Sequence, residues 1–140
     1  MGITEQVLRL HEQLYKRTDG RIGHKMIGVP TLLLRSTGRR SGATRTNALV
    51  YARDGADYVL VASNGGADSH PAWLHNLRAN PDAEIQVGRE RRKGTARAVE
   101  PSDPGYEHLW KIVNENNHDR YDAYQRQTNR PIPVVVVTPS

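Results

Sequence analysis

The 140-residue sequence contains no cysteine. That excludes a disulfide scaffold, a thiolate metal site, an iron–sulfur cluster and a cysteine nucleophile. It fits the cytoplasm, where disulfides are rare, and a cytoplasmic location is the expectation. Phenylalanine is also absent, and aromatic residues reach only 6%. The tyrosines and tryptophans must therefore help to build the core. No apolar run approaches the roughly 18 residues that a membrane helix needs; the longest, Val134 to Val137, is short. The N-terminus lacks the basic-then-apolar plan of a signal peptide. There is no Walker loop, no G-x-S-x-G elbow, and no H-x-H or H-E-x-x-H pairing among the six histidines. These absences argue against P-loop chemistry, an α/β-hydrolase and a zinc site, and no metal is expected.

What is present is one domain's worth of chain, expected to span residues 1–140. The net charge is +5 and the pI near 9.8. Such an excess suits an anionic partner: a nucleic acid, a membrane surface, or a phosphorylated or carboxylated small molecule.

Ile3, Val7, Leu10 and Leu14 recur at helical spacing, which predicts an amphipathic helix over residues 1–20 packed on the domain. Arg9, Lys16 and Arg17 lie near the stripe, so a peripheral contact with the inner face of a membrane is the minor reading. From residue 31 the period changes. Thr31 to Leu34, Arg45 to Ala52, Tyr58 to Ala62, the alternating Ile85 and Val87, Thr95 to Val99, and Val134 to Thr138 read as six strands. Asp54-Gly55 marks a hairpin. The basic run Arg89 to Lys93 reads as a turn; as a nucleic-acid patch it lacks an aromatic platform, and no nucleic-acid partner is expected. Helices are predicted after Pro71, after Pro104, and from about Asp119 to Thr128. Tight hairpins between consecutive strands imply antiparallel pairing rather than a Rossmann array. The fold class is α+β, mainly β: an antiparallel six-strand barrel with flanking helices.

Three segments could carry chemistry. The loop from Ser36 to Arg45 holds Arg39, Arg40 and Arg45 among glycines and hydroxyls. Glycines let backbone N–H groups approach an anion, and arginine offers planar forks to phosphate or carboxylate. A solvated basic hairpin has the same composition. The stretch Ser63-Asn64-Gly65-Gly66 joins a strand to the helix of Trp73. Its N–H groups could seat a ring carbonyl or an anion, or it could be an ordinary turn, with Trp73 a core residue. Tyr121 and Tyr124 share one helical face in a very polar segment. They read either as a pocket rim or as core.

Thr37-Gly38-Arg39-Arg40-Ser41-Gly42, Arg45-Thr46-Asn47, Ala62-Ser63-Asn64-Gly65-Gly66-Ala67, Pro71-Ala72-Trp73, Asn76-Leu77 and Asn80-Pro81 occur in that order. This set resembles the deazaflavin-dependent nitroreductase family, over roughly Gly28 to Pro139. The resemblance implies a split β-barrel of the FMN-binding type and the deazaflavin coenzyme F-420. It implies a reductase passing a hydride to a small acceptor: a quinone, an activated enone or a nitro-aromatic compound. It places Arg39, Arg40 and Arg45 on the cofactor's phosphodiester and glutamyl tail. Asn47, Ala48, Ser63, Asn64, Gly65 and Gly66 would lie along the ring, and Trp73 and Asn76 near its tail or edge. Tyr121 and Tyr124 would border the acceptor, with Tyr121, Tyr124, Ser63 or water delivering the proton. The sequence departs at Ala48, where the family usually has Pro. Asn64 stands where some relatives have Lys, and His118 where some have Tyr. These departures bear on substrate range rather than on cofactor binding. The rivals are FMN on the same barrel, which offers one phosphate to three arginines, and a deazaflavin-binding protein without turnover. A monomer is expected.

Overall fold

A computed structural model describes residues 25–26 and 29–140 of the chain. The expected N-terminal helix over residues 1–20 lies outside the described residues. Among the described residues, eight strands, all paired antiparallel, form one sheet: β1 (Lys25–Met26), β2 (Val29–Thr37), β3 (Thr44–Val50), β4 (Ala52–Asp54), β5 (Asp57–Val61), β6 (Asp82–Val87), β7 (Glu90–Val99) and β8 (Val134–Pro139). Three α-helices among the described residues accompany them: α1 (Ala72–Ala79), α2 (Tyr106–Asn116) and α3 (Arg120–Gln127).

The expected strand from Arg45 to Ala52 is split at Tyr51, and the split closes the sheet. β3 pairs with β2, whereas β4 pairs with β5. From β5 the pairing runs through β8, β7 and β6 back to β2. The ring is thus the expected six-strand split barrel, with β3 and β4 as one strand that changes partner and β1 as an additional short strand. Tyr51 keeps both backbone groups bonded at the switch: its N–H donates to the Pro30 carbonyl at 3.1 Å, and its carbonyl accepts from Asn116 Nδ2 at 2.9 Å. Pro30 has no N–H to return, so the β2–β3 ladder ends at Thr31, and Pro30 and Val29 pair with β1 instead.

Alternation along the strands builds two apolar clusters. Leu32, Leu34, Tyr58, Leu60, Ile85, Ala96, Val135 and Val137 fill the first, together with Trp73, Leu74 and Leu77 of α1. Val59, Val61, Val99, Val134 and Val136 face the other way, against Leu109, Val113 and Tyr121 of α2 and α3. β5 and β8 are buried on both faces, which is why Val134 to Val137 is apolar without alternation.

Only Arg89 of the basic run lies in the hairpin turn. Gly88, at φ +59°, supplies the left-handed turn residue, and β7 begins at Glu90. Arg91 to Lys93 therefore pair along β6, where Lys93 stands opposite Glu84. Likewise β2 runs on through Thr37, so the arginine loop begins only at Gly38.

Candidate functional site

The arginine loop is a tight excursion between β2 and β3. Gly38 N–H donates to the Ala43 carbonyl at 2.8 Å, and Gly42 N–H donates to the Gly38 carbonyl at 2.9 Å. Gly38 packs closely, since a Cβ there would lie 2.9 Å from Ser41 Oγ. The backbone is thus fixed while the three guanidinium groups are exposed. Among the described residues, no hydrogen bond or ion pair occupies the side chains of Arg39, Arg40 or Arg45. They border a cleft of about 700 Å³ lined also by Thr44, Thr46, Asn47, Ala72, Trp73 and Asn76. Arg39 backbone N–H donates to Asn76 Oδ1 at 3.1 Å, which ties the loop to α1. Trp73 serves both readings, because it is buried in the first cluster and lines the cleft.

Register sorts the β3 residues. Asn47 stands opposite Leu34 and Arg45 opposite Ser36, so both share the face of the first cluster. Ala48 stands opposite Leu33, and its methyl group points to the other face. Thr44 and Thr46 share that face and line the cleft, whereas Ala48 is not among the residues that line it.

The second loop lies directly before α1. Asn64, Gly65 and Gly66 have φ of +47°, +63° and +83°. Gly66 N–H donates to the Ser63 carbonyl at 2.9 Å, and Ala67 N–H to the Asn64 carbonyl at 3.2 Å. The loop packs on α3: a Cβ on Gly66 would meet the Tyr124 carbonyl at 3.1 Å and Gln127 Oε1 at 2.9 Å. Gly66 is thus required twice, by conformation and by space. Ser63 is buried, whereas Asn64 and Gly65 are exposed.

The two tyrosines part company. Tyr124 is half-buried: its side chain packs against the edge of the second cluster and its backbone carbonyl lies beside Gly66. Tyr121 is only 6% exposed and sits in the second cluster, with its ring 6.2 Å from both Trp110 and Tyr124. Burial pushes its phenol well above the usual tyrosine range. This burial favours the core reading of Tyr121 over a place at the acceptor's edge. The two helices are joined by Asp122, which accepts from Trp110 Nε1 at 2.8 Å and from Asn114 Nδ2 at 2.7 Å.

Sequence reasoning missed Arg130. Its guanidinium reaches the carbonyls of Ala62, Ser63 and Ala67 and the ring of His70. Nothing in its setting, Asn129-Arg130-Pro131, differs from a solvated loop cation. Burial, with Arg130, Arg78 and His75 nearby, lowers the His70 pKa. Arg130 can only donate, so His70 Nδ1 is the acceptor in their contact.

Among the described residues no group of histidine and carboxylate side chains could hold a metal ion, and no helix is long and apolar enough to cross a membrane. Residues 7–139 match the model of a family described as F420H(2)-dependent quinone reductase. A protein of that name from Mycobacterium tuberculosis strain H37Rv is 56% identical over 134 residues, 95% of this chain and 90% of the relative. Among solved structures, an F420-H2 dependent reductase superposes with a TM-score of 0.68 at 38% identity, over 77% of this chain and 93% of that one. A chain described as a domain-swapped dimer gives 0.71 at 34% identity, over 96% of each.

Proposed function

The chain belongs to the F420H(2)-dependent quinone reductase family, and from that premise we propose that it transfers a hydride from reduced coenzyme F-420 to a quinone. Activated enones and nitro-aromatic compounds are the further acceptors. The observation that carries this reading is the set of three exposed guanidinium groups, unpaired among the described residues, around one 700 Å³ cleft. A phosphodiester followed by glutamyl carboxylates fits that donor set, because each planar fork can take one anionic group. FMN, with its single phosphate, uses the set less fully.

The bound cofactor supplies the hydride; the chain supplies binding, orientation and charge. Arg39, Arg40 and Arg45 hold the tail. Asn47 on β3, Trp73 and Asn76 on α1, and the backbone of Ser63 to Gly66 border the ring. Tyr124, beside that loop, faces the acceptor and offers an O–H to the oxygen that gains negative charge. Ser63 and water are the other proton sources. Tyr121 supports Tyr124 from the core. The expected monomer and a dimer such as the one described for the structural neighbour are separated by sedimentation of the purified chain.

Fluorescence titration with coenzyme F-420 beside FMN tests the reading. Saturable binding of the deazaflavin at micromolar or lower concentration, with FMN much weaker, is expected. Tight FMN binding without deazaflavin binding contradicts it.

A further inference from the structure

We propose that Arg130 is a positioning residue for hydride transfer: it holds the Ala62 to His70 loop in the shape that seats the ring. The inference rests on the functional reading above. Arg130 lies beyond the end of α3, yet its guanidinium engages four acceptors of one nine-residue stretch. Nη2 donates to the Ser63 carbonyl at 2.8 Å and the Ala62 carbonyl at 3.2 Å. Nε donates to the Ala67 carbonyl at 2.8 Å. Nη1 lies 2.9 Å from His70 Nδ1. With Nδ1 accepting, the neutral imidazole carries its proton on Nε2.

The loop needs such support. Three consecutive residues have positive φ, one of them the non-glycine Asn64. The glycines adopt such conformations freely, but the left-handed conformation of Asn64 persists only when the surroundings determine it. The loop's own bonds are few and local: two backbone bonds and Asn64 Nδ2 donating to the Ser69 carbonyl. Carbonyls turned toward Arg130 leave the rest of the backbone to face the ligand. Only a planar group with donors on several edges can collect these acceptors at once; a lysine ammonium cannot.

Arg130 is itself anchored to α3. Gln125 Nε2 donates to the Arg130 carbonyl at 2.9 Å, and Gln125 Oε1 accepts from Ile132 N–H at 3.1 Å. Thr128 Oγ1 donates to Asp68 Oδ1 at 2.7 Å and accepts from Arg130 N–H at 3.3 Å. Arg130 thereby adds a third link between the helix that carries Tyr124 and the loop that borders the ring, beside the packing of Gly66 on α3 and the Thr128–Asp68 bond. The guanidinium sets the position of ring and acceptor relative to each other without touching either.

The test compares wild type with Arg130→Lys and Arg130→Ala. In the cofactor-free proteins, amide exchange over residues 62–70 should rise about tenfold or more in both variants, while β5 and β8 keep their protection. Affinity for coenzyme F-420 should fall about tenfold, and the absorption of the bound ring should shift toward that of the free cofactor. Turnover should fall with the quinone KM little changed, and added guanidinium at a non-denaturing concentration should partly restore Arg130→Ala. Unchanged loop exchange in both variants overturns the proposal. So does faster exchange with an unchanged ring spectrum and turnover, or protection lost evenly across the whole sheet. If wild type binds no deazaflavin, the functional reading falls and the positioning role falls with it; the exchange data alone then report whether the clamp exists.

Discussion

The backbone N–H of Arg39 and the side-chain oxygen of Asn76 meet at 3.1 Å, joining a surface loop to a buried position of α1. The bond sets where the arginine forks stand over the cleft. Asn76→Ala should cost only about 1 kcal/mol of stability, since the freed N–H can be hydrated. Its cofactor affinity should drop about five- to tenfold as the loop loosens. Asn76→Asp keeps an acceptor but adds a negative charge beside the arginines. It should therefore bind the cofactor more weakly than Asn76→Ala, although it folds better. Melting curves and fluorescence titrations of the two variants check this order.

Arg39→Ala and Arg45→Ala should each weaken cofactor binding by about ten- to a hundredfold, corresponding to one charged hydrogen-bonded contact in a partly wet site. The loss should shrink for cofactor forms with fewer glutamates and at higher salt. Stability should stay within about 0.5 kcal/mol of wild type, because these side chains are exposed. Titrations across tail length and ionic strength give the answer; equal losses for all tail lengths would place the arginines elsewhere.

The two tyrosines should separate stability from turnover. Tyr121→Ala opens a cavity in the second cluster and should cost about 3–5 kcal/mol, as for other large aromatics. Its turnover per folded molecule should stay close to normal. Tyr124→Phe keeps the ring and removes the O–H. It should lower kcat about tenfold or more, with stability changed by less than about 1 kcal/mol. Thermal melts combined with steady-state kinetics resolve the two effects, and the reverse pattern would return Tyr121 to the acceptor site.

Much of the barrel was legible because its signals are local. Alternation, hairpin turns and Pro-led helix starts lie within a few residues of one another. The β-branched run Val134 to Val137 declared a strand buried on both faces. The change of partner at Tyr51 was not legible. It depends on Pro30 and Asn116, which are distant in sequence and meet only in the fold. The arginine loop was readable because it clusters unusual residue types. Ala48 was assigned by motif, and only the register with Leu33 shows which way its methyl points. Tyr121 could be read either way because the polar residues around it obscure one apolar face, which packs in the second cluster. Arg130 had no local signal, since its partners lie about sixty residues earlier.

His70 should leave a signature in the pH dependence of stability. Burial first, then Arg130, Arg78 and His75, lower its pKa in the folded protein, with Glu100 opposing. The unfolded value is about 6.5. Between the two values the unfolded chain binds more protons, so stability is fully present above about pH 6.5 and declines as pH falls toward the folded value. His70→Gln, which keeps an acceptor for Arg130 but does not titrate, should flatten that part of the profile. Denaturant midpoints for both proteins between about pH 7 and pH 5 measure it. An identical slope in the variant assigns the decline to other groups.

The most direct measurement is the oxidation of reduced coenzyme F-420 by a simple quinone in the presence of the purified chain, followed by the return of the oxidised cofactor's absorbance. Wild type should catalyse it with saturation in both reactants. Arg45→Ala should require more cofactor for the same rate. Reduced FMN in place of the deazaflavin should support little turnover. No rate above the uncatalysed reaction with the deazaflavin, alongside rapid turnover with reduced FMN, would contradict the assignment.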